Sequence, residues 1–238
     1  MKFRSAAITD IGKLRQENED RFLRDDQLGL FGVADGLGGI PGGAEAAECA
    51  VDALKRSLPE LGDQADLVAL TQAVSASVRE LGQLIHPPHG IGSTLTFGVF
   101  TRGKLRLAHV GDSRAYLFKH GQLLRLTVDH SMENEIHKLK ALGEKIELTA
   151  ANRKALTRCM GQPGVPEVDY HEQPVAPGEV YLFTTDGISN HIDDPELAAI
   201  LASPVGLAEQ LKSMIELALH RGGLDNLTAV LVKIEEAK

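Results

Sequence analysis

The chain has only two cysteines, Cys49 and Cys159, so no disulfide framework is open to it, and a reducing cytoplasm is the expected compartment. No apolar run approaches the roughly 18 residues that a membrane helix needs. The opening residues, MKFRSAAITDIGK, carry charges but lack the apolar segment of a secretory leader, so none is expected. Positive charge is not in excess. Twenty-five Lys and Arg against 33 Asp and Glu leave a net charge of −8, which argues against bulk nucleic-acid binding. Low-complexity tracts, internal repeats and long linkers are absent too. What is present is 43% apolar residues in 238, enough for a full core and suited to one domain over residues 1–238.

The apolar pattern predicts strands at residues 3–10 and 28–34, then two helices, AEAAECAVDALKRSL (44–58) and LVALTQAVSASVRELGQLI (67–85), the second broken by HPPHG. Residues 93–127 are rich in Leu, Val, Phe and Thr, with Arg-Gly, Gly-Asp and His-Gly turns, and read as an antiparallel meander. A helix is expected at 130–143, then an irregular polar stretch at 144–165. A buried strand follows in VYLFTTDGISN (180–190), then helices at 195–202 and 205–220, and a last strand in DNLTAVLVKIE (225–235). This order is not a βαβ alternation. It predicts an α+β fold of two face-to-face antiparallel sheets with helices on both outer faces.

Residues 33–43, VADGLGGIPGG, place five glycines and a proline just after a strand that ends at Asp35. A dinucleotide fingerprint fails because Pro41 stands where its last glycine is needed. A phosphate-binding P-loop fails for want of a lysine. Alone, Asp35-Gly36 is a turn. It is not alone: Asp186-Gly187 ends a second apolar strand, Asp225 opens the last one, Asp112 sits in VGDSR, and Arg15, Glu19 and Asp20 lie together in RQENED. Each aspartate taken singly reads as a turn or helix cap. Carboxylates brought together at strand ends repel unless a cation neutralises them, and oxygen ligands without a Cys or His cluster select hard cations such as Mg²⁺ or Mn²⁺.

Two other readings are weaker. Gly111-Asp112-Ser113-Arg114-Ala115 nearly matches a nucleophile elbow near His109, but a strand-like AYLFKHG follows where a helix is required. His86 and His89 flank a proline pair without a second ligand pair at zinc spacing, and read as a surface loop. His130 is expected to help start the next helix, with Asp129 or Ser131 as its cap.

Taken together, TDIGKLRQENEDRF, VADGLGG, GSTLTFGVF, AHVGDSRAYL, LTVDHS, TTDGISN and DNLTAVLV resemble, in order, the blocks of the metal-dependent Ser/Thr protein phosphatases of type 2C, over about residues 5 to 234. The lengths resemble compact bacterial members. The resemblance implies an α-β-β-α sandwich and hydrolysis of phosphoserine and phosphothreonine in proteins by water activated at a binuclear Mn²⁺ or Mg²⁺ centre. By matching motif, Asp35 would bridge both metals. Gly36, through its carbonyl, and Glu19 would serve one metal, and Asp186 and Asp225 the other. Asp20 would hold metal-bound waters, Asp112 would help hold a third metal, and Arg15 would grip phosphate. Asn226 would support Asp225 from behind, and residues 131–165 would form a flap beside the site. Many eukaryotic members carry DGHGG, whose histidine is a proposed general acid; Leu37 stands there instead, so proton donation is expected from a metal-bound water near Asp20. The IPGG stretch also departs from familiar bacterial versions. The family further implies phosphorylated proteins as partners, a bacterial Ser/Thr kinase as the opposed enzyme, and a monomer. A pseudophosphatase and a hydrolase of small phosphate esters are the alternatives; the full acidic set disfavours the first.

Overall fold

A computed structural model describes residues 1–38, 41–141, 153 and 155–237. Its strands form two five-stranded antiparallel sheets. The first contains β1 (Lys2–Asp10), β6 (Arg114–Lys119), β7 (Gln122–Arg125), β9 (Val180–Thr184) and β10 (Leu227–Glu236), in spatial order β1-β10-β9-β6-β7. The second contains β2 (Asp20–Asp25), β3 (Leu30–Asp35), β4 (Leu95–Thr101), β5 (Lys104–Val110) and β8 (Asp169–Pro174), in spatial order β2-β3-β4-β5-β8. Helices α1 (Gly43–Leu61) and α2 (Leu67–Ile85) cover the outer face of the second sheet. Helices α4 (Asp186–Ser189), α5 (Asp194–Ala202) and α6 (Leu207–His220) cover the outer face of the first. Helix α3 (Met132–Ala141) lies beyond β7 in the chain.

Three apolar layers follow from this stacking. Alanines 46, 47 and 50 let α1 approach the second sheet, where Leu54, Val74 and Val78 pack on Leu95 and Phe97. On the other side Met214, Ile215 and Leu211 of α6 pack on Leu182, Ala229 and Leu231. Between the sheets Phe3 and Tyr181 of the first interleave edge-on with Phe31 and Phe100 of the second, ring centres 5.0–5.8 Å apart. Strands buried on both faces have to be apolar throughout, as LFGVA and VYLFT are.

Helix α2 begins and ends where its apolar period does. Asp66 caps it, accepting from the Val68 and Ala69 N–H groups. Asp193 and Glu196 form a reciprocal capping box at the start of α5. The Arg102-Gly103 and His120-Gly121 turns have positive φ at both residues, as two-residue hairpins require.

Four features differ from the sequence reading. The strand expected in VYLFTTDGISN stops at Thr184, and Asp186 opens helix α4 instead of ending a strand. Residues 93–127 are not one meander: β4–β5 and β6–β7 are hairpins in different sheets, and the Gly111-Asp112 turn is the crossing between them. Strand β2, DRFLRD, was not expected because its charges mask its alternation. Strand β8, DYHEQP, was not expected because it is a largely exposed edge. The end of the expected 130–143 helix, residues 144–152 and 154 of the polar stretch at 144–165, and Gly39 and Ile40 of the glycine loop lie outside the described residues.

Candidate metal centre

The β2–β3 register sets Asp20 directly opposite Asp35 at one end of the second sheet. Asp20 is 3% exposed; its Oδ2 accepts from the Thr185 hydroxyl at 2.8 Å, across from the first sheet. Thr185 ends the run that leads from β9 into Asp186, whose Oδ2 accepts from Asn190 one turn along α4. Asp225 lies just before β10, the neighbour of β9. The crossing between sheets carries Asp112. Carboxylates far apart in sequence are thus gathered where the two sheets meet.

Asn226 fixes the loop that carries Glu19. Its Oδ1 accepts the Glu19 N–H at 2.9 Å, and its Nδ2 donates to the Ile11 and Glu17 carbonyls at 2.9 and 3.0 Å. Arg15 in that loop donates to Asp225 at 2.9 Å and reaches Glu19 at 3.4 Å, while its guanidinium lies against the Gly38 backbone. Gly36 donates its N–H to the Glu19 carbonyl at 3.2 Å, and a Cβ there would overlap the Gly43 carbonyl. The glycines after Asp35 and Asp186 serve the same end: a Cβ at Gly187 would overlap the Asn226 carbonyl.

A cleft of about 400 Å³ opens over these residues. Arg15, Asp35, Gly36, Leu37, Thr94, Asp112, Asp186 and Asp225 line it, together with Ala155, Leu156 and Cys159 of the expected flap. Its electrostatics are unfavourable to anionic carboxylates. Desolvation first, then Asp186 and Asp225, push Asp20 up to about 7 against the bonds from Thr185 and Thr228. Desolvation and the charge of Asp186 push Asp112 up to about 7. Asp35 is held well above the usual carboxylate range by desolvation, then by Asp20, Asp186, Asp112 and Asp225. Burial disfavours the charge on Arg15, but Asp225 and Glu19 outweigh it and hold the guanidinium firmly protonated.

This donor set fits a hard divalent cation. It is all oxygen, its members raise one another's pKa, and Asp20 Oδ1 is buried without a hydrogen-bond partner among the described residues. Among the described residues no three acidic, His or Cys side chains are drawn into one tight ligand cluster. Arg15 holds two of the six carboxylates, Glu19 and Asp225.

Every sequence-predicted residue, namely Arg15, Glu19, Asp20, Asp35, Gly36, Asp112, Asp186, Asp225 and Asn226, belongs to this one neighbourhood. The weaker readings dissolve. Ser113 is fully buried and leads into β6, and His109 bonds Thr96 instead. Asp129 does not cap α3; it makes a bidentate pair with Arg114, and the Ser131 hydroxyl takes the Asn134 N–H at 3.4 Å. Thr185 and Thr94, which hold Asp20 and Asp35, were missed; each lay inside a quoted block, TTDG or GSTLT, with nothing local to reveal its partner.

The model of the protein phosphatase 2C family matches residues 13–231. A protein phosphatase 2C-type protein of Streptococcus pyogenes is 34% identical over 236 residues, which cover 95% of this chain and 96% of the relative. The serine/threonine phosphatase of S. agalactiae superposes with a TM-score of 0.86 at 29% identity, covering 98% of this chain and all of the other. The catalytic domain of the serine threonine protein phosphatase PstP, solved in complex with two manganese ions, gives 0.81 at 30% identity over 98% of this chain and 99% of that one. The cleft therefore sits in the fold, and among the sequence blocks, of known phosphatases, and the chain belongs to the protein phosphatase 2C family.

Proposed function

We propose that this phosphatase hydrolyses phosphoserine and phosphothreonine esters in proteins, with two Mn²⁺ or Mg²⁺ ions held by Glu19, Asp35, the Gly36 carbonyl, Asp186 and Asp225. Asp20 would hold water beside them and Asp112 would contribute to a third position. One observation carries the reading: six carboxylates from both sheets and their connections converge around a cleft that also contains an arginine, and Asp20, Asp35 and Asp112 among them are pushed toward their protonated forms. Bound cations supply Lewis acidity, offsetting the carboxylate charge and lowering the pKa of water.

The chain's own residues do the rest. Arg15 can grip two phosphate oxygens with its planar fork once its carboxylate partners are otherwise neutralised. Leu37 lines the cleft and has no proton to give, so leaving-group protonation falls to water held at Asp20. The cleft's position beside the flap suits a phosphorylated loop or tail of another protein, and the cellular role is opposition to a Ser/Thr kinase. Among the described residues no helix is long and apolar enough to cross a membrane.

The test is hydrolysis of a phosphothreonine peptide by metal-stripped protein, with and without Mn²⁺, beside the Asp35→Asn variant and a small aryl phosphate. Turnover that needs Mn²⁺ and is lost in the variant is expected. Metal binding without peptide turnover would overturn the reading, and hydrolysis of the aryl ester alone would redirect it to small esters.

A further inference from the structure

His130 is 2% exposed and uses all four of its polar groups. Its N–H donates to the Gly111 carbonyl at 2.7 Å and its Nδ1 accepts the Gly111 N–H at 3.1 Å, closing a two-bond clasp on the residue before Asp112. Its carbonyl accepts the Thr157 N–H at 2.9 Å. Its Nε2 lies 3.2 Å from Asp169 Oδ2. An Nδ1 that accepts a backbone N–H carries no proton, so the ring proton sits on Nε2 and is donated to Asp169. Arg158 also stands 3.2 Å from Nε2, but its closer partners are Asp169 and Glu167, each at 2.8 Å, and it thereby steadies the aspartate.

The same histidine joins two halves of the cleft wall. Thr157 follows Leu156, which lines the same cleft as Asp112. On the far side Met160 exchanges two backbone hydrogen bonds with Ser93, at 2.7 and 3.3 Å, and Ser93 bridges in turn to Gly36. Residues 156–160 are therefore stitched at one end to the Asp112 crossing and at the other to the Asp35-Gly36 turn. Starting α3 falls to Ser131, so the buried imidazole is not needed as a cap.

We propose that His130 is a positioning residue for phosphoester hydrolysis, holding the Asp112 crossing and the base of the flap in one fixed relation, with Asp169 setting its tautomer. The proposal rests on the phosphatase reading above. Loss of such a supporting bond behind a ligand typically costs about 10-fold to 100-fold in activity or metal affinity.

The experiment compares wild type with His130→Ala, His130→Asn and Asp169→Asn. It measures kcat and KM on a phosphothreonine peptide, the Mn²⁺ concentration for half-activation, and amide hydrogen exchange at Gly111 and Thr157. The asparagine keeps an acceptor near the Nδ1 position. In His130→Ala we expect kcat to fall about 10-fold, the Mn²⁺ requirement to rise, and Gly111 exchange to speed up. His130→Asn should recover most of this, and Asp169→Asn should show a smaller loss in the same direction. Equal losses in the two His130 variants, or unchanged Gly111 exchange in Asp169→Asn, would overturn the proposal. Should His130→Ala fail to fold, His130→Asn and Asp169→Asn decide it by the same exchange readout. Absence of wild-type turnover would count against the phosphatase reading alone, because the exchange results stand without it.

Discussion

Two groups of carboxylates face the same cleft, and the fold treats them differently. Glu19 and Asp225 share Arg15 between them. Asp20, Asp35 and Asp112 have no ion pair of this kind among the described residues, and all three are pushed toward their protonated forms. The first group is partly balanced by a side chain the protein owns, although burial still raises the Glu19 carboxyl against the pull of Arg15. The second stores uncompensated charge at a cost to stability, which is the arrangement expected where a cation from outside supplies the balance. Arg15 belongs to both functions: whatever neutralises Asp225 and Glu19 frees a guanidinium beside the place where phosphate would bind.

Removing charge from the unbalanced group should have the largest effect. Asp35→Asn is expected to lower Mn²⁺-dependent peptide turnover by about 1000-fold, the upper range for losing one essential charge-stabilising group; steady-state kinetics check this, with circular dichroism to show that the fold persists. In the balanced group, Arg15→Ala is expected chiefly to raise KM for phosphopeptide, by about 10-fold, and a loss confined to kcat would reassign its role. Asp112→Ala, at the edge of the unbalanced group, is expected to cost about 10-fold in rate while the principal metal sites still fill, which calorimetry with Mn²⁺ would register.

The smallest effect is on stability. In the unfolded chain these aspartates ionise near pH 4, whereas Asp20 and Asp112 in the folded protein hold their protons to about 7 and burial with its acidic neighbours holds Asp35 well above the usual carboxylate range. The folded state binds more protons over that interval, so the stability they contribute is present at low pH and is lost as pH rises through their folded values. His109, kept neutral by burial with a pKa of about 3, acts in the opposite sense, chiefly below its unfolded value near 6.5. Between pH 6.5 and 8 the aspartates therefore dominate. Chelator-treated protein should melt lower at pH 8 than at pH 6.5, and Asp35→Asn or added Mn²⁺ should shrink the difference; equal melting temperatures would contradict the charge assignment.

How far the sequence led depended on whether the signal was local. Helix α2 could be bounded at residues 67–85 because its apolar period lies in its own residues and HPPHG directly follows it. The aspartates could be nominated because each stands at a strand end beside glycine or a turn. Strands β2 and β8 could not, since their pairing partners rather than their composition make them strands. Likewise the Gly111-Asp112 turn has the same local chemistry whether the next strand pairs beside the last or enters the opposite sheet. The grip of Asn226 on residues 11–19, of Thr185 on Asp20 and of His130 on Gly111 spans distances in sequence that no spacing rule encodes.

The pairing of β1 with β10 has a consequence for synthesis. Asn226 and Asp225 anchor the loop that carries Arg15 and Glu19, and β1, at the sheet edge, has β10 as its one neighbour in that sheet. A nascent chain that has emerged only as far as α6 therefore has its first strand unpaired and its arginine unplaced, with most of the acidic residues already made. Placement of Arg15 and Glu19 therefore waits for Asp225, Asn226 and β10, so the candidate metal centre cannot be assembled during translation before that strand has been made.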